Sequence, residues 1–151
     1  MGTIAAAGSA LEWVHRALFS EMNLEAFFRL VRKCSKEKIG ECRFEPYLAG
    51  DRMSMEVRRG AFENLSLGTS REEMLVAVID ALAKASAERL RLLLSRGVRI
   101  KRRVVISGGT ARELRNVLQR DWGEGWTFEY EDEATLRGLS GQLPLTLALS
   151  P

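Results

Sequence analysis

Residues 103–113 read Arg103-Val104-Val105-Ile106-Ser107-Gly108-Gly109-Thr110-Ala111-Arg112-Glu113. The β-branched run over 103–107 predicts a buried parallel strand. Gly108 and Gly109 turn the chain, and the Thr-x-x-Glu spacing of Thr110 and Glu113 predicts a helix start. Leu114, Val117 and Leu118 supply that helix's apolar face. Gly123 and Gly125 then end it, and Trp126 to Tyr130 forms the next strand, followed by a helix from Glu133 to about Leu143.

Upstream, Ser70-Arg71-Glu72-Glu73 has the spacing of a second capping box. Met74, Leu75, Val78, Ile79, Leu82, Ala85, Leu90 and Leu93 follow at helical intervals until Gly97, predicting a helix of roughly 24 residues that crosses a whole sheet. Helix, strand, helix, strand, helix is the order of an α/β fold with parallel strands. Ahead of it lie two shorter helices. Ser9-Ala10-Leu11-Glu12 predicts a capped start at Ser9, with Leu11, Val14, His15 and Leu18 on one face up to Phe19. Asn23 opens the second, whose buried stripe is Leu24, Phe27, Phe28 and Val31, ending within Lys33–Lys38 or at Gly40. Residues 41–69 have weak periodicity, with a short strand at Arg43-Phe44-Glu45 and turns at Pro46, Gly50, Gly60 and Gly68. No internal repeat is evident.

A chain of 151 residues, 46% hydrophobic and 28% charged, describes one soluble globular domain. The net charge of +3, with acids and bases interleaved, gives no reason to expect nucleic acid. Arg99, Lys101, Arg102 and Arg103 read as a solvated approach to the 103–107 strand, because no aromatic residues flank them. Cys34 and Cys42 make no disulfide framework, and with His15 as the one histidine they make no zinc site, so a cytoplasmic setting is the default. No signal peptide and no apolar run long enough to span a membrane is present. His15 lacks Ser, Cys or Asp neighbours for catalysis and is expected to pack or cap. No catalytic triad or metal cluster can be assembled.

The glycine turn is the strongest local signal for chemistry. A strand ending in Gly108-Gly109 before a helix N-terminus lets a ligand approach the backbone, where unpaired N–H groups favour an anion. It is neither a Walker loop nor a dinucleotide fingerprint, and a tight βα turn requires glycine with or without a ligand. Gly8, ahead of a helix start at Ser9, offers a second backbone-lined position of the same kind. Glu12 and Glu113 are each placed to cap their own helix; each could also accept a hydrogen bond from an adenine amino group, although a carboxylate there repels phosphate.

Four stretches together resemble the FGGY family of carbohydrate kinases. Arg59-Gly60-Ala61-Phe62-Glu63-Asn64-Leu65, a seven-residue gap and Glu73-Met74-Leu75-Val76-Ala77-Val78-Ile79-Asp80 match its second signature except at Asn64, where the family has glycine. Gly8-Ser9-Ala10-Leu11-Glu12-Trp13 resembles the helix start after the family's ATP loop. Pro46-Tyr47-Leu48-Ala49-Gly50-Asp51-Arg52 resembles its PYLxGER segment, closer to xylulose- and gluconate-type enzymes than to glycerol kinases. Ser107-Gly108-Gly109 and Glu133-Ala134-Thr135-Leu136-Arg137-Gly138 resemble its late Gly-Gly turn and E-A-T-x-x-G helix.

The resemblance covers about residues 2–142 and implies a partial actin-like ATPase (ribonuclease H-like) domain with parallel strands and long covering helices. It makes residues 1–143 the C-terminal domain of an ATP-dependent sugar kinase, lacking its first strands, and 144–151 a non-family tail, as in a gene fragment or truncated homologue. Implied cofactors are ATP and Mg, shared with the missing domain, and the implied substrate is a sugar such as a ketopentose. Gly8, Glu12, Gly108, Gly109, Thr110 and Glu113 take the nucleotide-binding positions, Glu12 and Glu113 standing where glycerol kinases have Gln and Asn. The catalytic aspartate belongs to the missing N-terminal part, so the chain is expected to be inactive alone, partnered by that missing half or by itself. A non-catalytic interaction fragment that keeps the fold remnant is the other reading.

Overall fold

The computed structural model describes residues 7–48, 59–106 and 112–130. In chain order these form α1 (Ala7–Leu18), α2 (Leu24–Cys34), β1 (Arg43–Glu45), β2 (Ala61–Glu63), α3 (Arg71–Ser95), β3 (Arg103–Ile106), α4 (Arg115–Trp122) and β4 (Thr127–Tyr130). β1 pairs antiparallel with β2, Phe44 opposite Phe62, and β3 pairs in parallel with β4, Val104 opposite Phe128. The β3–α4–β4 stretch is therefore a crossover unit, since parallel neighbours cannot be joined by a tight turn.

α3 organises the rest. Ser70 Oγ accepts from the Glu73 N–H while Glu73 Oε2 accepts from the Ser70 N–H at 2.7 Å, so the capping box forms as its spacing predicts. The helix runs for 25 residues. From Leu75 to Asp80 every residue is buried, a helix covered on all sides. Around it lie Leu11 and Val14 of α1, Phe19 just after it, Phe27 and Val31 of α2, Phe44 of β1, and Leu114 and Val117 beside and within α4. Gly97 follows the helix at a φ of +75°, the left-handed conformation that stops it.

Several expectations are corrected. α1 includes Ala7, so Gly8 and Ser9 lie inside the helix and Ser9 is not its cap; alanine at position 7 is a strong helix former. Leu24 is exposed instead of buried: as the first residue of α2, capped by Asn23 Oδ1 on the Ala26 N–H, it precedes the turn that meets the core. Leu93 is exposed because α3 outruns the elements that cover it. β4 starts at Thr127, not Trp126. α4 starts at Arg115 with Leu114 as a cap that makes no side-chain bond, although Arg112 and Glu113 are themselves helical. β2 lies within the stretch that looked irregular, and α1 ends at Leu18 with Phe19 as a buried plug after it.

Asn64 answers the one mismatch in the 59–80 pattern. Its φ is +58°, a left-handed region that glycine enters most readily and asparagine better than most other residues. The expected helix from Glu133, the tail at 144–151 and the 49–52 part of the Pro46–Arg52 segment lie outside the described residues, as do Gly108, Gly109 and Thr110. Among the described residues no helix is long and apolar enough to cross a membrane.

Candidate functional site

The positions singled out for nucleotide binding fall into two described groups, α1's start and α4's approach. Gly8 and Glu12 stand four residues apart on α1, hence on one face, and both are exposed. A side chain added at Gly8 would meet no atom within 4 Å, and its φ is not in the left-handed region. Neither space nor backbone conformation demands glycine there. At Gly60, by contrast, an added Cβ would lie 2.7 Å from the exposed Leu48 side chain and 3.3 Å from the Glu45 carbonyl, so Leu48 would have to move to admit one.

Glu113 is buried, and instead of capping alone it is gripped from a distant helix. Arg32 of α2 donates through Nε to Oε2 at 2.6 Å and through Nη2 to Oε1 at 2.8 Å. Such a fork fixes the carboxylate's plane as well as its charge. No hydrogen bond or ion pair among the described residues joins Glu113 to Glu12 or Gly8. Sequence reasoning did not find Arg32, which on its own helix is one of several exposed basic residues.

A second polar cluster ties α3 to α4. Asp80 is 4% exposed, and its oxygens meet Arg120 Nη2 and Lys84 Nζ, each at 2.7 Å. Arg120 also bonds Asp121, and the Trp122 indole N–H donates to Ser86 Oγ at 3.0 Å. An acid amid the apolar positions of a helix requires buried partners, and Lys84 four residues on was legible in advance. Arg120 was not, because only the docking of α4 brings it near.

His15 behaves as expected of a packing residue: Nε2 donates to the Met22 carbonyl at 2.8 Å and the ring lies 4.8 Å from Phe27. Cys34 and Cys42 are both free and buried. Burial, then the negative charge of Glu72, pushes the Cys34 thiol up to about 11, and burial likewise raises Cys42. Both thiols are poor nucleophiles. Among the described residues no cluster of three His, Cys, Asp or Glu could hold a metal ion.

A shallow groove of about 170 Å³ lies between the end of α3 and the entrance to β4, lined by Leu90, Leu94, Ile100, Arg102, Trp122 and Trp126 among others. It sits at the N-terminal ends of β3 and β4. Open parallel sheets bind ligands at the opposite, C-terminal edge, so the groove is not on the edge where a ligand of such a sheet is expected.

No protein-family model matches the chain. Xylulose kinase of Staphylococcus xylosus is 26% identical over 123 residues, 80% of this chain and 25% of that protein. The structure of xylulose kinase from Rhodospirillum rubrum superposes with a TM-score of 0.67 over 91% of this chain, at 20% identity. Over most of its length the chain is similar to one part of a sugar kinase. A xyloylose kinase from Brucella ovis superposes with a TM-score of 0.64 over 95% of the chain, at 24% identity. The kinase-like segment spans about a quarter of the curated relative's length and 30% and 32% of the two solved chains.

Proposed function

We propose that the chain is the C-terminal, nucleotide-facing segment of an ATP-dependent sugar kinase of FGGY type, with a partial actin-like ATPase fold, and that it transfers no phosphoryl group by itself. One observation carries this reading: sequence and backbone independently resemble xylulose kinases, across 80% and 91% of the chain, yet over only 25% and 30% of those proteins. Phosphoryl transfer rests on positioning and on electrostatic stabilisation by groups that converge from both sides of a cleft. A quarter of such an enzyme holds one side.

On this reading Gly8, Gly108, Gly109 and Thr110 admit the nucleotide to the backbone, and the bareness of Gly8 fits that role. Glu12 and Glu113 lie beside the nucleotide. The Arg32 fork offsets the charge of Glu113, which relieves the repulsion a free carboxylate would exert on phosphate. Mg would be held by phosphate oxygens and by the remaining polypeptide, since the described residues present no carboxylate cluster for it; when bound it neutralises phosphate charge. The catalytic aspartate and most contacts to the sugar, a ketopentose on the Pro46–Leu48 resemblance, belong to the remaining polypeptide, and the setting is cytoplasmic.

Titration of the purified chain with a fluorescent ADP analogue, beside an assay of sugar-dependent ATP hydrolysis, tests this. Weak saturable nucleotide binding without sugar phosphorylation is expected. A folded chain that binds no nucleotide overturns the binding role, and robust sugar phosphorylation overturns the incompleteness. A second reading, a non-catalytic interaction fragment, draws on the large apolar side chains exposed at both ends of α3.

A further inference from the structure

The ends of α3 differ from its middle. At 1.5 Å per residue its 25 residues extend about 37 Å. Buried on all sides from Leu75 to Asp80, the helix emerges into solvent at Arg91 and stays exposed to its end. Leu92, Leu93 and Leu94 are 40%, 38% and 48% exposed, and Val98 beyond them 46%. Three consecutive leucines point in directions about 100° apart, so no single face of this chain could cover them. At the other end, the loop that leads into Ser70 exposes Leu65 at 53% and Leu67 fully.

The two apolar ends carry opposite charge. Residues 89–103 contain seven Arg and Lys and no Asp or Glu. Arg91, Arg96, Arg99 and Lys101 form no ion pair among the described residues. Around the loop, Glu63 and Glu72 are exposed; Arg71 is spent on Glu21 at 2.6 Å, and Arg43, opposite Glu63 across the β1–β2 pair, donates to the Gly40 and Cys42 carbonyls. Two basic ends would repel each other, whereas a basic end and the acid-flanked loop attract.

We propose that copies of this chain associate head to tail. The loop of one copy, with Leu65 and Leu67 between Glu63 and Glu72, docks on the end of α3 of the next, where Leu92–Leu94 and Val98 stand among Arg96 and Arg99. Such a contact is heterologous, so each copy keeps one free surface of each kind and assembly continues past the dimer unless a ring closes.

Sedimentation velocity over a wide concentration series tests the proposal. Wild-type protein is expected to gain mass with concentration. Leu67→Ser and Leu93→Ser each remove one leucine that the contact would bury and are expected to weaken association roughly tenfold. All substituted side chains are exposed, so an unchanged far-UV circular dichroism spectrum is expected for each variant. The decisive pair reverses charge: Arg91→Glu/Arg96→Glu/Arg99→Glu/Lys101→Glu takes residues 89–103 from +7 to −1 and so makes both ends acidic, and Glu63→Lys/Glu72→Lys makes both basic. Each should be monomeric alone, and mixing the two should restore assembly. A wild-type chain that stays monomeric throughout overturns the proposal. So does association that persists in each charge-reversed variant alone, or a mixture that stays monomeric.

Discussion

Arg32 and Glu113, 81 residues apart in the chain, meet in a two-pronged ion pair that clamps α2 to the start of the α4 region. The carboxylate is 8% exposed and the guanidinium side chain 58%, so the arginine reaches in from solvent to a buried acid. Removing the two partners should therefore have unequal effects. Arg32→Ala leaves a buried charge unpaired and is expected to lower the thermal midpoint more than Glu113→Gln, which leaves a neutral amide and a solvated arginine. A double-mutant cycle followed by thermal denaturation checks this; equal losses would contradict the order, and single losses that simply add would show that the fork does not matter to stability.

Asp80 links α3 to α4 through Arg120 and is also met by Lys84. Asp80→Ala is expected to cost about 1–3 kcal/mol, below the usual figure for a broken buried pair because Arg120 is part solvated and can return to water. Urea denaturation measures it. The lysine contact lies within one helix, so Lys84→Ala should cost well under half as much.

Burial raises the Cys34 thiol from 9.0 to about 11. The folded state therefore favours the protonated thiol, and the stabilisation is fully present below pH 9. It declines as pH climbs from 9 towards 11, because the unfolded chain releases the proton first. Native protein should resist thiol alkylation at pH 8 and react at the rate of a free thiol once unfolded by urea. Fast alkylation of folded protein at pH 8 would contradict the burial.

Gly8 separates binding from folding. Alanine fits its surroundings and favours helix, so Gly8→Ala should leave stability unchanged or raise it by up to about 1 kcal/mol. If the nucleotide approaches this backbone, the same methyl group weakens ADP binding. Weaker binding with undiminished stability supports the role; unchanged binding removes Gly8 from the site.

Those features that depend on local spacing were legible in the sequence. The Ser70–Glu73 box, the Asn23 cap, the α3 periodicity and the β3 and β4 runs are each set by neighbours within a few residues, and all formed, although β3 is less buried than expected where it is described, with Arg103 exposed and Val104 half-buried. The start of α1 was misplaced because a capping pattern at Ser9 competes with the helix propensity of Ala7, which is already helical. Leu24 and Leu93 were misjudged since periodicity gives a face but not where cover ends. The Arg32–Glu113 and Asp80–Arg120 pairs were invisible for another reason: each spans two helices, and nothing local in either encodes the partner. Of the site itself, Gly8, Glu12 and Glu113 can be placed, and the sequence offered no hint that Glu113 comes already paired.

The passage of α3 from full enclosure to open solvent makes one helix a gradient of protection. Amide protons around Val78 and Ile79 can exchange with deuterium only when the whole domain opens, whereas those after Arg91 need no more than fraying of the last turns. Exchange mapped along this one element would then report global opening at one end and local loosening at the other. Any ligand or neighbour that seats on the leucine-bearing end would slow the second while leaving the ranking of the first intact.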